Sequence, residues 1–253
     1  MISSDRMPRS EYRRKDLLKK SVPVWLKKQA VRDLVIRRIC SALKRRYGTS
    51  RLGNPSDPLD DLIYIILSTR TRQLSLGATY RTLKGTFLTW DTLLPKHRRK
   101  LERILAPGGL GRLKARQIVE ILSSLRKAYG HATLAPLSKM SDSDAELFLT
   151  SLPGVGLKVA KCVMMYTLRR QVLPVDIHVH RIAKRIGLQT KKRPDTSQQL
   201  IETAVPPELR YSFHVNAIAH GREVCLSQRP RCDVCVIARW CAYYQRQDKR
   251  RTQ

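Results

Sequence analysis

Apolar residues along this chain recur at intervals of three and four, and no run alternates strictly enough to predict a strand. From Pro23 to Tyr47 the positions Leu26, Ala30, Leu34, Ile36, Ile39, Cys40 and Leu43 share one helical face. The loop Gly53-Asn54-Pro55-Ser56-Asp57-Pro58 then breaks the chain. Leu62, Ile63, Ile65, Ile66 and Leu67 are apolar on all sides, as in a largely buried helix, and lead into the polar run Ser68 to Gln73. Further helices are predicted at Leu74 to Lys84, Trp90 to Leu94, Arg98 to Leu105, Lys114 to Tyr129 and Asp142 to Leu152. Ser141 with Asp144 three residues on is the pattern of a capping box, with Asp in place of the usual Glu. The fold class is therefore all-α.

Composition narrows the picture. Over 253 residues, 42 % are hydrophobic, enough for a core of one large domain or two small ones, and only 6 % are aromatic, so that core is aliphatic. No stretch reaches the roughly 18 uninterrupted apolar residues of a membrane span, and Met1 to Lys20 is polar and basic with no apolar h-region. A protein that stays unsecreted, in the cytoplasm or nucleoid of a prokaryote, is expected. Fifty Lys and Arg against twenty Asp and Glu leave a formal charge of +30. That excess points to a polyanion, because neutralising phosphates releases condensed counterions. An anionic membrane surface is the alternative.

Six cysteines are present. Cys40 and Cys162 stand alone in helical segments and read as core, whereas Cys225-x6-Cys232-x2-Cys235-x5-Cys241 crowds four thiols into one stretch. In a reducing compartment such a group holds metal rather than disulfides. Structural zinc sites usually show two short knuckles, and here only one pair is close. Cubane iron-sulfur clusters accept uneven spacing because each thiolate binds its own iron corner.

The run Ser151-Leu152-Pro153-Gly154-Val155-Gly156-Leu157-Lys158 stops one helix at Pro153, turns through two glycines able to take positive φ, and restarts at once, with Val155 left to pack between the helices. Two readings fit: an ordinary helix-to-helix turn, or a phosphate site built from free amides at a helix N-terminus. Lys158 falls in the first turn of the second helix, where the dipole opposes an ammonium and favours the neutral, nucleophilic amine. Further on comes Val175-Asp176-Ile177-His178-Val179-His180-Arg181. By themselves, Asp176 reads as a helix N-cap and Lys158 as a phosphate contact.

Together, Leu-Pro-Gly-Val-Gly-x-Lys followed by Val-Asp-x-His resembles the helix-hairpin-helix DNA glycosylases, endonuclease III in particular, over about Pro58 to Cys241. The resemblance implies Lys158 as nucleophile with Asp176 as its essential partner. It implies a [4Fe-4S] cluster on Cys225, Cys232, Cys235 and Cys241, and double-stranded DNA with a damaged base or abasic site as partner. Gly154, Val155 and Gly156 would meet the DNA backbone. Arg229 and Arg231, on a loop pinned by Cys225 and Cys232, would bind phosphate or else be solvated charge. Gly109-Leu110-Gly111-Arg112 resembles the family's intercalating loop, making Leu110 either the wedge or a residue folded back on the core. His220-Gly221-Arg222 resembles the family's run into the first cysteine, a place for structural support.

The sequence also departs from that family. Arg70 stands where the family has a Gln that plugs the hole left by the flipped base, which changes the expected substrate preference. Ile177 replaces a small polar residue, and residues around His131 to Lys139 lengthen a connection into an added surface loop. The expected architecture is two helical lobes with the active site in the cleft between them. Residues 58–180 would form a six-helix barrel holding the hairpin, residues 23–57 and 181–253 the cluster lobe, and residues 1–22 a basic arm. The expected function is a monomeric base-excision repair enzyme, a bifunctional DNA glycosylase and AP lyase for damaged, oxidised pyrimidines, with no membrane partner. The alternatives are a thymine, uracil or adenine mismatch glycosylase, and a non-catalytic DNA-binding iron-sulfur protein.

Overall fold

A computed structural model of the chain describes residues 29–48, 52–69, 73–188 and 193–251, and every regular element among them is helical. In chain order the helices are α1 (Gln29–Tyr47), α2 (Pro58–Ser68), α3 (Gln73–Thr86), α4 (Arg98–Leu105), α5 (Gly111–Tyr129), α6 (Asp142–Ser151), α7 (Leu157–Tyr166), α8 (Ile177–Ile186), α9 (Gln198–Ala204), α10 (Arg210–Glu223) and α11 (Ala242–Arg251). Described residues up to 48 and from 175 onward form one compact unit, and residues 52–174 form the other. Asp176 and α8 thus share a unit with the four clustered cysteines, on the far side of the boundary drawn at 180 from the sequence. The basic arm expected at 1–22, and Arg70, lie outside the described residues.

In the unit of residues 52–174, α2 starts where Asp57 accepts hydrogen bonds from the amides of Leu59 and Asp60, both at 2.9 Å, with Pro58 as its first residue. It runs through Leu62, Ile63 and Ile66, at most 2 % exposed. Each such side chain contributes roughly 1.5–3 kcal/mol of burial. Its last carbonyls are taken by hydroxyls, Ser68 Oγ on Ile65 O and Thr69 Oγ1 on Ile66 O, both at 2.7 Å. Helix α2 packs against α7, α3 and α5, while α7 packs against α6 and α5 against α4.

Two expectations are corrected in this unit. Trp90 to Leu94 is no α-helix but a single 3-10 turn, Trp90–Thr92, which serves as an anchor: Trp90 Nε1 donates to Asp60 Oδ1 at 2.6 Å. The stretch 131–139 is no mere surface loop, because Leu134 and Leu137, both 1 % exposed, plug it into the core around a 3-10 turn at Ala135–Lys139. Half of the expected capping box forms. Ser141 Oγ accepts from the Asp144 amide at 3.1 Å, but the Asp144 carboxylate meets the Ser141 hydroxyl at 2.6 Å in place of the Ser141 backbone.

The other unit is centred on α10, whose Phe213, His214, Val215, Asn216, Ala217, Ile218 and His220 are all buried. Helix α10 packs against α1 and α8, and α11 packs on α8. Cys40 and Cys162, one in each unit, are core residues as expected.

Candidate functional site

The hairpin between α6 and α7 is built by three residues. Leu152 caps α6, Gly154 turns the chain at φ +67°, and Gly156 caps α7 in an extended conformation at φ −87°. Only one of the two glycines is left-handed, against the sequence expectation of two, because a helix N-cap needs β-region backbone. Val155 is buried at 4 % exposure, and its amide is used within the turn, on Leu152 O at 3.1 Å. The amides of Gly154, Gly156, Leu157 and Lys158 find no acceptor among the described residues. Apart from its two chain neighbours, no described residue comes within 4 Å of where a Cβ on Gly156 would sit, so no close contact in this unit requires glycine there. Gly154 differs: its Cβ would come within 2.8 Å of Gln117 Nε2.

Helix α7 carries two lysines with different surroundings. Lys161 is buried and pairs with Glu146 of α6, Nζ to Oε2 2.7 Å. Lys158, one turn earlier, is half-buried and makes no hydrogen bond or salt bridge with any described residue. In the same unit Asp61 is fully buried and accepts from Asn54 Nδ2 and Thr167 Oγ1, both at 2.6 Å. Burial pushes its carboxyl up to about 6, against the lowering effect of those two bonds and of the Lys158 charge.

One helix organises this unit's exposed features. Leu110, the N-cap of α5, sits at φ +56° and is 45 % exposed, so it does not fold back on the core. Lys114, 3 % exposed, reaches across to Leu67 O at the end of α2 at 2.9 Å, and burial lowers its pKa. Gln117 lies against Gly154 of the hairpin turn. The seven residues from Gly111 to Gln117 span about 10.5 Å of helix. Within that length α5 touches the candidate wedge, the end of α2 leading to residues 70–72, and the hairpin.

In the other unit Asp176 is the N-cap of α8, and its Oδ1 accepts the amides of both His178 and Val179 at 2.8 Å. Ile177 beside it is 65 % exposed. His178 presses on Gly221, where a Cβ would come within 2.6 Å of its Nδ1, and burial lowers its pKa. Along the same helix Arg181 donates to Cys225 O and Gly221 O, both at 2.8 Å, and Arg185 donates to Cys225 Sγ at 3.1 Å and Leu226 O at 2.6 Å. These two arginines bind the first-cysteine loop to the helix that Asp176 caps. The loop beyond exposes Arg229, at φ +46°, and Arg231.

All four clustered cysteines line one cavity, together with Arg185, His220, Tyr243 and Tyr244. Among the described residues no group of three or more His, Cys, Asp or Glu side chains is arranged to hold a metal ion. A single zinc would need its sulfurs about 2.3 Å from one point. A multinuclear group, which each thiolate meets at its own metal, does not need the sulfurs to converge on one point. Burial pushes the Cys235 thiol up to about 12 and raises Cys241, so these thiols stay protonated unless a cationic centre displaces the proton. His220 is fully buried between Tyr47 and Cys235: its Nδ1 meets Tyr47 Oη at 3.0 Å and its Nε2 meets Cys235 Sγ at 3.4 Å. Sequence reasoning assigned His220 to structural support but missed Arg181, Arg185, Lys114 and Gln117. The one visible signal was the i,i+4 spacing of the two arginines, which names a face and not what it holds.

Described residues whose regular elements are all helical, with a Pro-Gly-Val-Gly turn joining α6 to α7, define a protein of the helix-hairpin-helix class. Residues 63–207 match the model of the HhH-GPD superfamily base excision DNA repair protein. Endonuclease III of Thermotoga maritima is 31 % identical over 194 residues, covering 77 % of this chain and 87 % of that relative. Among solved structures, a trapped endonuclease III-DNA covalent intermediate superposes with a TM-score of 0.73 at 24 % identity, covering 85 % of this chain and 98 % of its own. A thermostable thymine-DNA glycosylase superposes at 0.72 and 21 % identity, covering 84 % and 97 %. At such identity these superpositions show the shared fold. The chain belongs to the HhH-GPD superfamily of base excision DNA repair proteins.

Proposed function

We propose that this protein is a DNA glycosylase with AP lyase activity of the endonuclease III type, acting on damaged, oxidised pyrimidines in duplex DNA. Lys158 is the nucleophile and Asp176 its carboxylate partner. The observation that carries the assignment is the contrast on α7: Lys161 is held in an ion pair by Glu146, whereas Lys158 makes no hydrogen bond or salt bridge with any described residue. A nucleophilic amine must be free of ion pairs that hold it protonated.

In the reaction the damaged nucleotide is flipped from the duplex. Neutral Lys158 Nζ forms a bond to the sugar C1′ as the C1′–N bond to the base breaks, and the base leaves with that electron pair and a proton. Sugar ring opening gives a Schiff base between C1′ and Nζ. Loss of a C2′ proton then expels the 3′ phosphate, and water releases the lysine. Asp176 stabilises positive charge on the sugar and moves protons. Its Oδ1 is engaged by the α8 cap, which leaves Oδ2 for this work. The four free amides of the hairpin and the bare approach at Gly156 suit a phosphodiester, with Val155 contributing packing. Leu110 is the wedge, Arg70 fills the gap left by the flipped base, and Arg229 and Arg231 bind phosphates.

Cys225, Cys232, Cys235 and Cys241 would hold a [4Fe-4S] cluster. Bound there, it supplies a rigid covalent anchor for the arginine-bearing loop, and no step of the reaction passes through it.

Borohydride trapping on duplex DNA with an abasic site tests the mechanism. A covalent adduct is expected with the wild-type protein and none with Lys158→Ala; absence of the wild-type adduct would refute the lyase. Duplexes each carrying one oxidised pyrimidine, or one thymine or uracil mismatch, then identify the base. Preferential release of mismatched thymine would overturn the oxidised-pyrimidine assignment.

A further inference from the structure

The end of α4 and the start of α5 enclose an open cleft lined by Arg99, Glu102, Arg103, Ala106, Gly111 and Arg112. Its floor is a close backbone approach. A Cβ on Gly111 would lie 3.1 Å from both Glu102 O and Ala106 N, so any side chain there would push the first turn of α5 away from the end of α4 by a few tenths of an ångström.

The arginines are placed against the fold's own electrostatics. Arg99 and Arg103 stand four residues apart on α4, where like charges on one helix face repel. Arg112 sits in the first turn of α5, where the helix dipole disfavours a cation. None of the three has an ion-pair partner among the described residues, and the one carboxylate in the cleft, Glu102, is engaged by Arg98 Nε at 3.3 Å. Three exposed guanidiniums with no ion pair among the described residues, gathered on one cleft, fit an external polyanion. Guanidinium presents paired N–H donors matched to phosphate oxygens.

We infer that Arg99, Arg103 and Arg112 form a phosphodiester-binding cleft that grips the DNA strand beside Leu110. The inference rests on the duplex-DNA reading above and adds a contact surface to it. Leu110 and Arg112 flank Gly111 in sequence, so a strand whose bases meet the wedge has its phosphates within reach of the cleft.

The test compares Arg103→Gln/Arg112→Gln with wild-type protein in binding to an undamaged duplex across a salt series. Each lost phosphate contact lowers the slope of log K against log salt by about 0.9, so the double variant is expected to lose about 2 from the wild-type slope and to bind more weakly at low salt. A control, Lys127→Gln/Lys139→Gln, removes the same charge from exposed sites away from the cleft and is expected to keep the wild-type slope. Equal slopes for wild type and the cleft variant would overturn the inference, as would an equal drop in the control, which reports net charge alone. Wild-type protein that binds no duplex sinks the cleft together with the DNA reading. Wild-type protein that binds duplex but forms no borohydride adduct sinks the lyase only, and the slopes still judge the cleft.

Discussion

Lys114 Nζ donates to Leu67 O at 2.9 Å, tying the first turns of α5 to the last turn of α2. The amine hydrogen-bonds a helix-end carbonyl of α2 while it is 3 % exposed. Where the two helices meet, α2 hands the chain to residues 70–72 and α5 follows Leu110. Lys114→Met keeps the length of the side chain and removes the donor. It is expected to lower unfolding free energy by about 1–3 kcal/mol, the cost of losing this buried hydrogen bond. Urea denaturation measures this, and an unchanged midpoint would mean that water replaces the amine.

Gly154 faces two separate obstacles to any side chain, its φ of +67° and the Gln117 side chain. Gly154→Ala is expected to cost about 1–2 kcal/mol from backbone strain, plus the displacement of Gln117. Adding Gln117→Ala should relieve the second part and leave the first. A double-mutant cycle read by thermal unfolding is expected to show favourable coupling between the two substitutions. Strict additivity would argue that Gln117 moves aside freely.

Asp176 caps α8, and in the proposed chemistry it is also the carboxylate. Asn caps a helix as well as Asp does. Asp176→Asn should therefore melt within a degree or two of wild type while the rate of borohydride trapping falls by about 10²-fold or more. Asp176→Ala should lose activity to the same extent and about 1 kcal/mol of stability as well. Wild-type trapping by the Asn variant would reduce Asp176 to its cap.

Asp61 has its carboxyl raised to about 6 by burial. The folded state therefore holds this proton more tightly than the unfolded chain. Its contribution to stability is fully present below the unfolded pKa of 3.8 and is lost as pH rises to about 6, on the order of 3 kcal/mol. Asp61→Asn keeps hydrogen-bonding atoms toward Asn54 and Thr167 and removes the charge. Its stability curve between pH 4 and 7 is expected to lack the wild-type decline and to lie at or above wild type at pH 7. Parallel curves for the two proteins would contradict the assignment.

For the cysteine cavity, purified wild-type protein is expected to be brown, with a broad visible absorbance and about four iron atoms per chain, as a [4Fe-4S] group requires. Cys232→Ser should bleach it. A colourless protein containing zinc would replace the cluster with a mononuclear site.

Sequence by itself determined the helical class, because three-and-four spacing of aliphatic residues is a local property that survives without knowledge of neighbours. The hairpin was legible for the same reason: Pro153, Gly154 and Val155 act on backbone within one turn, and the buried Val155 followed from it. So was the cap at Asp176, a contact spanning three residues. The sequence also set the four thiols close together in the chain, though the cavity they share needed the fold. Long-range pairings were not legible. Nothing local shows that Lys161 pairs with Glu146 on the facing helix while Lys158 makes no ion pair with any described residue. Nor does sequence show that Arg181 and Arg185 of α8 hold the Cys225 loop, some forty residues away in the chain. The expectation of two left-handed glycines failed because whether a glycine turns or caps depends on where the next helix starts. Propensity and spacing fix what a segment is. Which charge is neutralised, and which is left for a ligand, depends on groups brought together from distant parts of the chain, and only the tertiary structure decides that.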